Sequence, residues 1–422
     1  MVLDDLGHAF QTYRKQLEEQ TTTVKVQADE CVATCELALA WIDHAIAANR
    51  RDDGLYHGYN LIRFERDSAE IEHLPEMLEG QVAVLSSGRL DAAESAELLE
   101  GLHESDLHRS DLDTFLLYPA RTLPPIWEKG CIPAGKVESN PLLKALHEAD
   151  DTRVIECDAD GVVRFSAKFR NARDLERVLE NLATESTWMR KVEAHRQSTL
   201  DIYEEVFHHH AFTGRSGGMY GYEGIGCTYW HMIGKLLVAA GECHASAIDA
   251  GAEEDVVQRL AVAYHRIRDG LGFRMSAARF GGVPIDAYSH TPAERGAQQP
   301  GMTGQVKEEL ITRRMELGVN LRSGKLHFEP RLLSDDEWLK SPVTWELPDQ
   351  RPVELRSDTI GFQLCGVPVI YHRSGDAPRL RLETMEGIEE ISGRCLDGPA
   401  LKSLLARDGR IHRIDVEVSA GE

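Results

Sequence analysis

The hydrophobic period of this chain changes for the rest of its length at Gly318. Before it, apolar residues recur every three to four positions, the spacing that gives a helix one buried face. After it, NLRSGKLHFEP, VTWELP, PVELRSD, GFQLCGVPVIYHR and PRLRLETME alternate in short runs separated by Gly, Pro and Asp. A period of two lines one side of a pleated strand, and a helical pattern cannot occupy the same backbone. The expected fold is therefore mainly α with a C-terminal β-sandwich, a helical domain over 1–318 and an antiparallel β-domain over 319–422.

Within the helical part the spacing predicts helices over 24–49, 67–87, 91–104, 140–149, 172–184, 187–206, 226–242, 253–269 and 304–317. The run VIECDADGVVRFSAKF alternates and turns at Asp160-Gly161, which predicts a β-hairpin inserted near 153–169. In the first helix Cys31 and Cys35 sit four apart on one face, and the expectation is two small core residues rather than a metal pair. On the 226–242 helix, Tyr229, Ile233, Leu236, Leu237 and Ala240 form a core face, with His231 and Lys235 on the other side.

Charge narrows the partners. The 70 acidic residues exceed the 47 basic ones and leave a net charge of -23. A polyphosphate backbone or an anionic lipid surface needs a basic footprint, so neither nucleic acid nor membrane is an expected partner. No stretch reads as a membrane span, the first residues carry no basic leader, and the 8 cysteines are scattered without a CxxC pair. The expectation is a cytoplasmic protein with free thiols and no metal, standing as a homodimer or within a larger assembly.

Polar chemistry gathers in three glycine- and aromatic-rich loops: GLYHGYNLIRFE (54–65), FHHHAFTGRSGGMYGYEGIGCTYWHM (207–232) and RFGGVPIDAYSHTPAERGAQQPGMTGQVKEE (279–309). Tyr rings stack on the apolar faces of sugars, while carboxylates, amides and guanidinium groups take their hydroxyls. On that ground Tyr59, Arg215, Tyr220, Tyr222, Tyr288, His290, Gln298 and Gln299 are candidate substrate-binding residues for a small glycan. His208, His209 and His210 point about 100° apart on a helix and cannot converge on one ion, so they read as a surface cluster. Thr303 and Gly304 open the last helix, where a capping Thr and free backbone N–H groups suit an anion as well as they suit a plain cap. Glu79 and Gln81 lie among apolar residues and need partners from the protein or from a ligand.

As a set, GGMY…TYWHMIGKLLVAAGE, the Thr303-Gly304 loop with His290 and GAQQPGM before it, and ELGVNLRSGKLHFEPRLL resemble the inverting sugar phosphorylases of the cellobiose phosphorylase and cyclic glucan group. The resemblance runs over roughly 215–333. It implies an (α/α) toroid, complete or truncated, with the sugar site at its inner helix ends and inorganic phosphate as co-substrate without other cofactors. It also implies a phosphate-binding set of His231, Thr303 and Gly304. Inverting chemistry needs two carboxyl groups about 6.5–9.5 Å apart, or one plus phosphate, and Glu223 and Asp286 are the candidate catalytic pair. The family's Asp-Trp-Asn-Asp general-acid motif does not occur in these residues. That departure keeps two alternatives open: a non-catalytic carbohydrate-binding or interaction subunit, and the C-terminal portion of a larger enzyme.

Overall fold

The computed structural model describes all residues except 1, 20–24, 65–67, 121–127, 129, 208–226, 281–289, 293–304, 348–350, 375–376 and 420–422. They form two compact units, Met1–Arg50 and Arg51–Glu422.

The first unit holds α1 (Val2–Glu19) and α2 (Ala28–Ala48). No Gly or Pro interrupts α2, which fills most of its expected span. None of its residues is buried, so Cys31 and Cys35 stand exposed instead of lying in a core. By length and composition α2 is also apolar enough to cross a membrane, correcting the expectation that no segment reaches that size. Its sequence nonetheless carries Asp29, Glu36 and Asp43 seven residues apart, on one face. An acid at a bilayer centre costs about 2.5–3.5 kcal/mol, so this seam favours a side turned to water.

In the second unit, the stretch expected as one helix over 67–87 divides. A hairpin of β1 (Asn60–Phe64) and β2 (Ala69–His73) comes first, pairing Ile62 with Ile71, and α3 (Leu78–Ser86) follows Pro75. α4 (Ala92–Glu104) starts at a capping box in which Asp91 and Glu94 bond each other's backbone N–H. The short pair β3 (His108–Arg109) and β4 (Thr114–Phe115) leads to Leu117.

Residues 130–207 form a group of elements apart from this scaffold. They contain α5 (Ala134–Ser139), α6 (Pro141–Glu148), the expected hairpin as β5 (Ile155–Cys157) and β6 (Val163–Phe165), then α7 (Ala172–Ala183) and α8 (Met189–Phe207). These elements bury a core of their own, including Leu142, Leu146, Phe165, Leu179 and Tyr203. Leu117 N–H donates to Cys227 O at 2.8 Å, so departure and return lie side by side. That is the anatomy of an inserted module.

The chain then runs through β7 (Cys227–Tyr229), α9 (Trp230–Asp249), α10 (Glu254–Gly270), α11 (Ala277–Phe280), β8 (His290–Pro292) and α12 (Gln305–Glu316). α9 is the central helix, packed by α3, α4, α10 and α12. Ile233, Leu236, Leu237 and Ala240 are buried as expected, and Tyr229 is half-buried at the strand before the helix. A Cβ on Gly241 would come within 2.6 Å of Met315 Cε, and one on Gly234 within 3.4 Å of Glu308 Cβ. Two glycines seven apart thus let α12 lie close against α9.

His244 lies on the same helix, 3% exposed, and burial pushes its imidazole down to about 4. Between that value and the ordinary 6.5 the unfolded chain binds the proton and the folded chain does not. Stability therefore falls as pH drops from 6.5 towards 4, by about 3 kcal/mol through this group, and is fully present above 6.5. Urea unfolding across that window should show His244→Met lowering the pH slope by about one proton. An unchanged slope would sink the assignment.

The β-region begins at Val319, one residue after the break in period. β9 (Val319–Arg322) and β10 (Lys325–Phe328) pair with each other, and β11 (Val343–Glu346) with β12 (Pro352–Leu355). β13 (Thr359–Leu364), β14 (Val367–Ser374), β15 (Arg379–Thr384) and β16 (Gly387–Ser392) lead to β17 (Cys395–Leu396), α13 (Gly398–Ala406) and β18 (Ile411–Ser419). The larger sheet has the order β13-β14-β18-β15-β16, and β17 completes the β9–β10 sheet. One core joins both sheets, with Phe328, Val369, Tyr371, Leu380 and Ile414 inside it. The expectation of a wholly antiparallel domain is corrected at β14 and β18, which run parallel. A parallel neighbour needs a long crossover, and β15 to β17 with α13 provide it.

Candidate functional site

The flanks of the three polar loops meet along one line of backbone. Tyr229, Thr228 and Cys227 pair with His290, Thr291 and Pro292, which joins the second loop to the third. Cys227 O accepts from Leu117, and Leu117 O accepts from Leu78 N–H at 3.0 Å, at the head of α3. The first loop closes on that same helix. Gly58 and Gly80 approach so closely that a Cβ on Gly80 would stand 2.8 Å from Gly58 Cα.

Gln81 fixes this contact from inside. It is fully buried, donates to Tyr56 O at 2.7 Å and Met77 O at 3.1 Å, and accepts from Tyr56 N–H at 2.9 Å. The protein itself satisfies this amide. Tyr59 hangs from the same loop, 51% exposed, its hydroxyl donating to Glu79 Oε2 at 3.2 Å. The neighbouring Glu79 charge holds the phenol above its ordinary value. His57 stacks on His73 with ring centroids 3.9 Å apart, and burial followed by the His73 charge pushes it down. Its Nδ1 is buried with no hydrogen-bond partner among the described residues.

Behind β7, Arg109 lies buried and donates to Thr228 Oγ1 at 3.3 Å while gripping both oxygens of Asp111 at 2.7 and 2.8 Å. That grip holds the Asp111 carboxyl below its usual range. Trp230, fully buried, sets the start of α9 by an edge contact with Phe280 at 4.9 Å. The next residue is His231, whose Nε2 meets Glu308 Oε1 at 2.9 Å. A carboxylate accepts only, so Nε2 carries the proton and Nδ1 is the nitrogen left for a donor. Glu308 is 5% exposed, and its other oxygen, Oε2, is buried without a partner among the described residues. Lys307 Nζ lies 3.4 Å from Oε1. A buried, half-satisfied carboxylate against a histidine is costly unless a further donor completes it.

Of the expected site residues, Tyr59 and His231 are described with their side chains, and His290 by its backbone, opposite Tyr229. Glu223, Asp286, Arg215, Tyr220, Tyr222, Tyr288, Gln298, Gln299, Thr303 and Gly304 lie outside the described residues, as do His208, His209 and His210. α12 begins at Gln305, directly after Gly304. Glu308 was not among the expected residues. As the fourth residue of an ordinary-looking helix, KEEL, it carries no signal of its own. The one available hint is Gly234 on α9, the small residue that admits it. Among the described residues no group of three His, Cys, Asp or Glu side chains is placed to hold a metal.

Residues 123–210 match the family described as GH149 phosphorylase insertion domain 2. The match falls on the inserted module and spans well under half of the chain. It relates that segment to glycoside phosphorylases and does not single out the cellobiose or cyclic glucan group. No curated protein matches the chain.

Proposed function

We propose that this chain is a glycoside-phosphorylase-like, carbohydrate-active protein that cleaves a small glycan with inversion, using inorganic phosphate. The observation that carries the reading is the match over 123–210, on a module hydrogen-bonded at its root to the strand preceding His231. The helical part is read as toroid-like, with the three loops at the mouth of the sugar site.

In the proposed reaction phosphate oxygen attacks the anomeric carbon from the face opposite the leaving oxygen. One C–O bond forms as the other breaks, and a carboxylic acid gives its proton to the departing hydroxyl. Glu223 and Asp286 are the proposed candidates for that carboxylic acid. His231 is the proposed phosphate ligand, with Thr303 and Gly304 ahead of α12. Because Glu308 engages Nε2, the ring is oriented, and in the proposal a second proton on Nδ1 makes that nitrogen the donor to the anion while Glu308 balances the imidazolium charge. Stacking on the exposed ring of Tyr59 suits the sugar. A second copy, or a partner in a larger assembly, is proposed to cover the exposed apolar residues of α2 such as Trp41 and Ile42.

The test is a panel of disaccharides with phosphate, and the reverse reaction with sugar 1-phosphates. Phosphate-dependent release of a sugar 1-phosphate is expected, with Glu223→Gln or Asp286→Asn abolishing it. His231→Ala should raise KM for phosphate about tenfold to hundredfold. Turnover untouched by both carboxylate changes would remove the catalytic assignment. The lack of an Asp-Trp-Asn-Asp motif favours a second reading, a non-catalytic glycan-binding subunit. Saturable sugar binding by calorimetry without any product would select it.

A further inference from the structure

The outer face of the larger β-sheet carries a cavity of about 380 Å³ that shares no residue with the loops described above. That volume is in the range of small-molecule sites, about 300–1,000 Å³. Alternation along the strands builds it. On β18, Ile414, Val416 and Val418 enter the core, which turns Arg413, Asp415 and Glu417 to the other face. On β15, Leu380 and Leu382 are buried, so Arg379 and Arg381 share that face. Ile370 of β14 is fully buried beneath the cavity, and Leu355 and Arg356 at the end of β12 form a wall.

Its charges are only partly paired. His372 Nε2 at 2.6 Å and Arg413 Nη2 at 2.6 Å both converge on Asp415 Oδ1. No described residue engages Asp415 Oδ2, so this carboxylate keeps an acceptor for a ligand hydroxyl. Asp415 stays ionised: although burial raises it, the His372 and Arg413 hydrogen bonds prevail and hold it below its usual range. Arg381 stands opposite Asp415 on one side and Glu390 on the other, yet forms no ion pair with either. Arg356 likewise has no side-chain partner among the described residues. Two open guanidinium forks suit phosphate or carboxylate oxygens, which they take in bidentate fashion.

We propose that this cleft binds a phosphorylated monosaccharide. The phosphate is held by Arg356 and Arg381, and a ring hydroxyl donates to Asp415 Oδ2. Free phosphate would satisfy the arginines alone. A sugar phosphate would use the spare carboxylate oxygen as well. This inference stands on the β-domain and does not depend on the function proposed for the loops.

Calorimetric titration of the full chain with inorganic phosphate, glucose, glucose 1-phosphate and glucose 6-phosphate tests it. At least one hexose phosphate is expected to bind about tenfold tighter than inorganic phosphate, and glucose alone should not saturate. In Arg356→Gln/Arg381→Gln, two exposed positions whose change should leave thermal stability intact, affinity should fall about tenfold or more. The same titrations on His231→Ala must retain the binding, which separates this cleft from the proposed phosphate ligand in the loops. Equal affinity in the double arginine variant would overturn the proposal. So would phosphate binding as tightly as every hexose phosphate, or the absence of saturation up to about 10 mM ligand.

Discussion

Gly318→Ala is expected to leave little folded protein, with a loss of at least about 4 kcal/mol. Gly318 sits at φ +64, and an added Cβ would fall 1.9 Å from the carbonyl carbon and oxygen of Glu329 and 2.4 Å from Pro330 N. These are backbone atoms, pinned by the bond from Glu329 N–H to Gly318 O at 2.9 Å. Tyr371 adds a second tie, its hydroxyl donating to Leu317 O at 2.5 Å from inside the core. The clash therefore cannot be relieved by turning a flexible side chain. Gly324→Ala is the control, because φ there is +74 and nothing lies within 4 Å of the added atom. It should cost only the left-handed conformation, of order 1–3 kcal/mol. Thermal unfolding of the two variants separates strain from collision, and equal losses would refute the packing at Gly318.

That glycine also marks how far the sequence could be read. Its position is visible because the period changes there, and strand β9 begins at the next residue. Its contact with Glu329 is invisible, since nothing local says that the chain folds back on this spot. Helices α4, α6, α7, α10 and α12 were legible from uninterrupted spacing and caps. The stretch 67–87 was misread because AEIEH carries helix-compatible residues, while its pairing with NLIRF is set by partners five to thirteen positions away. The parallel union of β14 and β18 depends on a crossover more than thirty residues long, which alternation cannot report.

The candidate site was legible as composition and not as geometry. Loops rich in Tyr, His and Gly announced themselves, and their flanks do come together through β7 and β8. What joined them was backbone, from Leu78 through Leu117 to Cys227, and backbone hydrogen bonds leave no residue signature. The inserted module betrayed its hairpin and its longer helices, but not that they form a unit apart. Its separate core rests on Leu142, Leu179 and Tyr203, which look like any amphipathic helix residues until the closure at Leu117 and Cys227 is seen. Glu308 was hidden for a related reason: a first-turn acid is ordinary on a helix, and only burial against α9 makes it unusual.

Arg268→Met is expected to cost about 3–5 kcal/mol. The guanidinium is 15% exposed, forks onto Glu309 at 2.5 and 2.8 Å, and reaches Glu316 Oε1 at 3.1 Å. It also lies 4.1 Å from the ring centroid of Phe273. Glu316 is further held by the Tyr264 hydroxyl at 2.8 Å and by Arg313 at 2.8 Å, and Arg313 reaches Glu337 at 2.6 Å. Deleting Arg268 leaves Glu309 with no cation and Glu316 with a thinner shell, both of them largely buried. The loss measures stranded carboxylates more than any intrinsic value of the ion pair. For that reason Arg268→Met/Glu309→Gln should be more stable than the two single losses would sum to, with a coupling of about 1–3 kcal/mol. Arg268→Lys should not rescue fully, because an ammonium cannot span two carboxylates or lie flat on Phe273. Urea unfolding of the four proteins completes the cycle. Additive losses, or a single-variant loss under about 1 kcal/mol, would mean that the Arg268 ion pairs do not hold α12 to α10.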